Sequence, residues 1–333
     1  MTAPLAHLLV GPDRHGVVRF GLELDAELRS IGVATEVRRT QDVDACRGVH
    51  VQFTDHLFGR PATEAAAAIT RLADRLHARG ARVTVTLHDL PQPSDGVHFE
   101  VRADAYRQVC RTVDGIVTSS EHERMLLAEL GAAPADLAVV PLPVPSVAAG
   151  PPVVRGAEPR SVGVFGYLYP GKGHLEVLTA MAGLPRTVWM LAVGEPSAGH
   201  DDLVDELSDT ARRSGRRFAV TGHVPDLALA TTLRSVTVPV AHHRHVSASG
   251  SLNAWLSAGR RPLAPITRYT SEIDDRNPGA LLLYPDHESG LRSALAAALA
   301  DPRSTWLPPG TTCVPTARDA ARRYADVLGR WHA

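Results

Sequence analysis

Residues 161–181 read SVGVFGYLYPGKGHLEVLTAM, and their texture decides the fold. A short apolar run, 161–166, stops at Gly166. A Gly/Pro turn follows, and from about residue 172 the apolar positions recur at helical spacing. A strand, a tight turn and a helix in that order form half of a βαβ unit. The same texture repeats on both sides. Upstream, apolar runs at 7–11, 33–39, 49–53, 82–87, 115–119 and 137–141 are separated by helical stretches near 16–31, 62–79, 98–112 and 120–131. Downstream, runs at 187–194, 218–222, 236–241, 262–266 and 280–284 alternate with helices near 200–214, 226–234, 250–259 and 287–301, and a last helix covers about 316–331. Strands alternating with helices predict an α/β protein whose parallel sheets are covered on both faces.

Between the two series lies PLPVPSVAAGPPVVRGAEPR (141–160), with six prolines, two glycines and no periodicity. It reads as a linker. The expected organisation is a first doubly wound domain at 1–145, a linker at 146–160, a second doubly wound domain at 161–315 and a terminal helix at 316–333. A length of 333 residues suits two domains, and 44% hydrophobic with 21% charged residues is globular composition. Lys+Arg of 35 against Asp+Glu of 36 leaves a net charge of -1, which excludes a strongly basic nucleic-acid binder. No apolar run approaches the ~18–20 residues that span a bilayer. The start, MTAPLAHLLVGPDRHG, lacks the basic and long apolar regions of a signal peptide, so a cytoplasmic location is expected. Cys46, Cys110 and Cys313 form neither a zinc pattern nor a disulfide framework.

Ligands of open α/β sheets bind beyond the carboxyl ends of strands, near topological switch points. Four stretches fall there. At 165–181, Lys172-Gly173 opens a helix, and a helix start beside a lysine is an anion site. The GxxxxGK[ST] order of a Walker A loop is absent. In HHRHVSASGSLNAWLSAGRRPLAP (242–265), the small residues Ser247–Ser251 let backbone N–H groups approach a ligand, and the serines add donors. Two such cradles in one half, one with a lysine, suit the two phosphates of a nucleotide diphosphate. In VTVTLHDLPQP (83–93), His88-Asp89 follow an apolar strand, where a histidine can bond a substrate hydroxyl or move a proton. In GPDRHG (11–16), Gly11 and Gly16 are well placed, but GxGxxG is missing, which weakens a nicotinamide-dinucleotide reading. His242, His243 and His245 leave three readings open: a solvated or substrate-facing loop, donor contacts, or a metal. Trp189 and Trp255 read as core, with sugar platforms as the alternative, and Arg260-Arg261 as a solvated turn, with anion contact as the alternative.

Together these residues resemble a GT-B glycosyltransferase of the retaining family-four type, over nearly the whole chain. The family's GR-L-x-x-x-KG stretch, which binds the donor diphosphate, corresponds to Gly166-Tyr167-Leu168-Tyr169-Pro170-Gly171-Lys172-Gly173, with Tyr167 at the arginine position. The family's VPSxxEGFGxxxxEAMACGxPVIA stretch corresponds to 238–265, without either glutamate of its E-x7-E motif: aligned on Gly250 and Pro262 those positions hold Ser247 and Trp255, and aligned on Gly259 they hold Val246 and Ala254. HDLP (88–91) resembles the strand-end histidine near the donor sugar. GIVTSSEHERMLL (115–127) resembles the family's D-x-V-V-x-x-S element, AVVPLPVP (138–145) its linker entry, and FAVTGHVPD (218–226) its turn along the base. The last helix is placed to return to the first domain. The missing glutamates mark a divergent branch.

The resemblance implies a metal-independent enzyme that takes a sugar nucleotide as co-substrate in a central cleft and retains the anomeric configuration. Lys172 and His88 take the catalytic roles. Gly16, Gly166, Tyr167, His223, Val224, Ser247, Ser249, Gly250 and Ser251 hold the donor, and Gly11 and Asp89 lie on the acceptor side. The turn's likeness to bacterial mannosyltransferases, among them actinobacterial enzymes of methylated mannose polysaccharide synthesis, implies GDP-mannose as donor and a soluble carbohydrate, a mannoside, as acceptor. A UDP-sugar of the glucose type is the alternative donor. A degenerate GT-B binding protein and a sugar-nucleotide epimerase are the alternatives in kind. No nucleic acid partner is expected, membrane association is left open but not favoured, and the sequence leaves the oligomeric state open.

Overall fold

A computed structural model describes residues 3–43, 45–132, 134, 136–148, 160–243 and 248–333. Most of the expected linker, 149–159, lies outside these residues. The chain divides into two compact units, Met1–Pro143 with Pro315–Ala333, and Val144–Val314.

The first unit runs β1 (Leu5–Leu8), α1 (Gly16–Ser30), β2 (Thr35–Arg38), β3 (Gly48–Phe53), α2 (Asp55–Phe58), α3 (Ala62–His77), β4 (Arg82–Leu87), α4 (Phe99–Thr112), β5 (Gly115–Thr118), α5 (Glu121–Glu129) and β6 (Leu137–Val139). The strands pair in parallel in the order β2-β1-β3-β4-β5-β6. Strand side chains alternate between faces. Val49, Val51, Phe53, Val83, Val85 and Leu87 therefore meet Ala65, Ile69, Leu72 and Leu76 of α3 and Tyr106 and Val109 of α4. Removing each such side chain from water contributes about 1.5–3 kcal/mol. The opposite face carries His7, His50, Gln52, Thr84 and Thr86, all buried.

What buries that polar face is α1 and the tail helix. The second unit runs β7 (Ser161–Phe165), α6 (His174–Ala180), β8 (Trp189–Val193), α7 (Asp202–Arg213), β9 (Phe218–Val220), α8 (Asp226–Ser235), β10 (Val238–Val240), α9 (Gly250–Ser257), β11 (Leu263–Pro265), α10 (Arg268–Arg276), β12 (Leu282–Tyr284) and α11 (Glu288–Ala300); the tail helix is α12 (Ala317–Trp331). Thr316 and Asp319 form a capping box at its start. Tyr324 and Trp331 of α12 pack with Leu5, Leu24, Leu28 and Val117. Two hydrogen bonds meet the sheet's hydroxyls: Tyr324 OH lies 3.0 Å from Thr86 Oγ1, and His332 Nε2 lies 2.9 Å from Thr84 Oγ1. A Cβ on Gly115 would stand 2.6 Å from the Trp331 ring, so the tail docks where β5 opens on a glycine.

The second sheet has the order β12-β11-β10-β7-β8-β9, again all parallel. Both its faces are apolar. Val162, Val164, Met190 and Val240 pack on α6, α7 and α11, and Val193, Ala241 and Ala264 pack on α8, α9 and α10. Strands buried this way read as continuous apolar runs, and all twelve expected runs are strands. Helix α10 was not expected. It is polar except for Tyr269 and Ile273, too narrow a stripe to give a helical period, and it is fixed by a Thr267–Thr270 cap.

The expectation of a solvated Arg260-Arg261 turn is corrected. Arg260 is 0% exposed. Its guanidinium donates to the carbonyls of Leu233, Arg234, Val236, Thr237 and Thr305 and to Thr305 Oγ1, and it lies 4.1 Å from the Trp306 ring centroid. Five planar donors let one arginine satisfy the carbonyl end of α8 and the start of β10 together. Arg261 is half-buried and donates to the Ser304 carbonyl. Cys46, Cys110 and Cys313 are free thiols, all buried. Among the described residues, no helix is long and apolar enough to cross a membrane.

Candidate functional site

In each sheet, successive connections run one way and then the other from a pair of central strands. That reversal opens a crevice at the carboxyl ends of the pair. In the second sheet the pair is β7 and β10. The turn after β7 holds Lys172, and the segment after β10 holds Ser249–Ser251.

The β7 turn is shaped by three residues. Gly166 leaves the strand at φ +120. Leu168 drops into the core, which turns Tyr167 and Tyr169 outward at 43% and 38% exposure. Gly173, at φ +92, passes so close to the His242 carbonyl that a Cβ would collide with it. Lys172 is thereby folded inward, at 7% exposure. Its Nζ donates to Ser251 Oγ at 2.8 Å and lies 5.8 Å from the Tyr169 ring centroid.

Ser249 is the N-cap of α9, and its Oγ accepts from Leu252 N at 3.1 Å. The Ser249 and Ser251 hydroxyls are 3.1 Å apart, and the His243 ring lies between them, Nδ1 3.3 Å from Ser249 Oγ and Nε2 3.3 Å from Ser251 Oγ. One expected donor is corrected: Ser249 N–H is taken by Tyr269 OH at 2.8 Å, leaving the N–H groups of Gly250 and Ser251 to open the helix. His242 Nδ1 is 2.5 Å from Tyr284 OH.

Burial governs the electrostatics here. It pushes the Lys172 ammonium down to about 8. Burial and then Lys172 push His174 down to about 3, and burial, Lys172, His174 and His242 push His243 well below its ordinary value. All three effects mark a place where positive charge is desolvated. His174 is buried beside them with neither ring nitrogen hydrogen-bonded.

In the first sheet the reversal lies between β1 and β3, with β4 next to them. His88 follows β4. Its N–H donates to the Phe53 carbonyl at 2.8 Å, its own carbonyl accepts from Tyr106 OH at 2.6 Å, and the Phe20 ring meets it edge-on at 5.6 Å. Ring Nε2 lies 2.8 Å from Gln52 Oε1. Burial and then His15 push His88 down to about 4, against the pull of Asp89. Asp89 has a left-handed φ of +52, the one non-glycine residue so placed among those described. Such backbone is costly and needs a clamp. Arg102 supplies it, donating to the Asp89 carbonyl at 2.6 Å while bridging Asp55 at 2.9 and 3.0 Å and pairing with Asp95.

After β1, Gly11 turns at φ +116 and Gly16 opens α1. Between them His15 caps that helix, its Nδ1 accepting from Val17 N at 3.3 Å. Burial lowers His15, Asp89 opposes, and His56 adds to the lowering, so these groups share one electrostatic neighbourhood with His88.

The structure thus gathers Lys172, Ser249, Gly250 and Ser251 with Gly166 in one unit, and His88 and Asp89 with the His15–Gly16 helix start in the other. Tyr167 is at the rim of the lysine turn. Exposed His223 and half-buried Val224 lie after β9, and among the described residues no hydrogen bond joins either to the lysine group. Ser247, Val246 and His245 fall outside the described residues. Among the described residues no three potential metal ligands cluster. Sequence reasoning missed His15, Gln52, Tyr269 and His174. Only His15, standing before a helix start, carried a local signal.

Residues 10–143 match a sequence family described as a glycosyl transferase 4-like domain. No protein of curated function matches the chain by sequence. Solved structures match nearly all of it. Anabaena Alr3699/HepE in complex with UDP-glucose superposes with a TM-score of 0.70 at 15% identity, over 99% of this chain and 95% of that one. Sucrose-phosphate synthase from Thermosynechococcus elongatus gives 0.70 at 14% identity, over 99% and 95%. WaaG, a glycosyltransferase involved in lipopolysaccharide biosynthesis, gives 0.61 at 15% identity, over 97% and 95%. The fold is GT-B. The family match over the first unit and that fold support glycosyltransferase function; identities this low speak to the fold alone.

Proposed function

We propose that this GT-B chain is a retaining glycosyltransferase that moves a hexose from a nucleoside diphosphate sugar to a carbohydrate acceptor. One observation carries the reading: a buried ammonium, Lys172, is bonded to a neutral hydroxyl at the start of α9, beside the β7/β10 reversal. A desolvated cation with a neutral partner is stabilised by an anion. Two phosphates would take Lys172, the Ser249 and Ser251 hydroxyls, and the N–H groups of Gly250 and Ser251. These donors are fixed before the reaction, and they stabilise the charge that grows on the leaving diphosphate. Gly166 and Tyr167 border the phosphates, and His223 and Val224 line the base. In the first unit, His88 takes a sugar hydroxyl, Gly16 completes the donor contacts, and Gly11 and Asp89 serve the acceptor. The reaction needs no metal.

Retention and a GDP-mannose donor come from the sequence resemblance. UDP-glucose is the rival donor, because the Alr3699/HepE structure holds it. Thermal unfolding with GDP, UDP, ADP, GDP-mannose and UDP-glucose separates them. The right nucleotide at 100 times its dissociation constant adds about 2.7 kcal/mol. Lys172→Ala is expected to abolish that shift and to lower kcat about 10²–10³-fold. Stabilisation by none of the five, or an unchanged response in Lys172→Ala, overturns the proposal.

The lysine also gives a pH dependence. With its free-state value at about 8, Lys172 is mostly ammonium at pH 7 and mostly neutral at pH 9. A diphosphate binds the charged form. Affinity should hold below pH 8 and then weaken by up to about tenfold per unit. Near pH 8 each binding event should take up close to half a proton, read as a buffer-dependent calorimetric enthalpy. Proton release on binding would contradict this.

A further inference from the structure

We propose that Gln52, backed by His7 and Asp25, sets the tautomer of His88, so that its ring carries the proton on Nε2 and presents the Nδ1 lone pair. Gln52, His7 and Asp25 are positioning residues in this account. That His88 meets a substrate hydroxyl rests on the function proposed above; the tautomer itself does not.

The inference follows from donor and acceptor order along one buried chain. Asp25, on α1, is 1% exposed. Burial opposes its ionisation, but His7, Thr35 and Arg29 hold its carboxyl below the ordinary value. Arg29 Nε stands 3.0 Å from one carboxylate oxygen and His7 Nδ1 3.6 Å from the other. That 3.6 Å is too long for a hydrogen bond, but the charge of the carboxylate favours a His7 proton on Nδ1, the nitrogen that faces it. With the proton there, Nε2 accepts, and the Gln52 Nε2 amide donates to it at 2.9 Å. With its NH₂ end so occupied, Gln52 turns its Oε1 to His88 Nε2 at 2.8 Å. An amide oxygen only accepts, so that atom of His88 must be N–H. Reversing the amide would aim the His7 Nδ1 lone pair at the Asp25 carboxylate. The strands make the chain possible: His7 and Gln52 lie on neighbouring β1 and β3, on the face that α1 covers, and His88 continues the next strand. The depressed His88 value keeps the ring neutral at pH 7, where its tautomer rather than its charge decides what it can do.

The test uses the full chain with ¹⁵N-labelled histidine, His88 being assigned by its absence in His88→Asn. Wild type should show one His88 tautomer, protonated at Nε2. Asp25→Asn touches His7 and not His88, yet it should bring in the Nδ1-protonated form. Gln52→Leu should do the same. Gln52→Glu keeps the shape and places a carboxylate against the ring, so it should raise the His88 pKa and leave the imidazole charged near neutrality. Wild-type His88 protonated at Nδ1 overturns the proposal, and this spectrum needs no variant to fold. So does an unchanged His88 spectrum in both folded Asp25→Asn and Gln52→Leu. Turnover then separates the two readings. If His88 meets the sugar, Gln52→Leu lowers kcat about 10–100-fold with the donor KM held. If His88→Asn turns over normally while the tautomer shift is seen, the role of His88 falls and the relay stands.

Discussion

Arg260→Met is expected to cost the Val144–Val314 unit at least about 4 kcal/mol, among the largest effects available to a single substitution. The side chain is fully buried, and its donors serve five backbone carbonyls and one hydroxyl. Methionine fills a similar volume but donates nothing. Each carbonyl left buried without a donor costs about 1–3 kcal/mol. Two of them, of Leu233 and Arg234, end α8, where the helix dipole also favours a cation. Total stabilities of about 5–15 kcal/mol leave little margin for such a loss. Arg260→Lys should recover only part of it, because an ammonium is a point and cannot span acceptors from α8, β10 and Thr305. Urea unfolding of wild type and both variants reads this. A methionine variant within 0.5 kcal/mol, the size of an ordinary surface change, would show the network to be incidental.

Acid should unfold the first unit well before its carboxylates titrate. Burial pushes His50 well below its ordinary value, and pushes His88 and His332 down to about 4. The unfolded chain protonates these rings near 6.5, whereas folded His88 and His332 resist until about 4 and His50 stays neutral well below its ordinary value. Protons are therefore taken up on unfolding between those values. Stability is complete above 6.5 and falls as the pH drops through the window. At pH 5, His88 and His332 alone should give a slope of about 2.4 kcal/mol per pH unit. His50 acts in the same direction. Asp25 and Asp55, both held low, extend the loss below the histidine window. Urea midpoints at pH 7, 6 and 5 measure the slope, and equal stabilities at pH 7 and 5 would rule it out. Of these rings, His332 joins the tail helix to the sheet and His88 belongs to the candidate site, so acid acts on both.

Local pattern carried a good deal of this protein. A strand needs about five residues of suitable shape, and a parallel strand buried on both faces shows itself as an apolar run, so all twelve strands could be read before any contact was known. The turns after β7 and β10 were legible for the same reason: Gly173 and Ser249 meet backbone demands that are written locally. The tolerance of that reading ended where a residue's environment is set by distant chain. Arg260-Arg261 looked like a solvated turn because charge beside glycine and proline usually is; the carbonyls that bury Arg260 come from residues 233–237 and 305.

The sequence by itself determined the α/β alternation, the strands, and which turns could cradle an anion, because each depends on a few neighbouring residues and their periodicity. Tertiary structure alone decided that Lys172 is buried against Ser251, that Tyr269 of an unexpected helix claims the Ser249 N–H, and that Asp25, His7 and Gln52 line up behind His88. Those pairings join residues 18 to 79 positions apart. Burial and hydrogen-bond partners, not residue type, set the charge and proton position of each group, and only the folded chain supplies them.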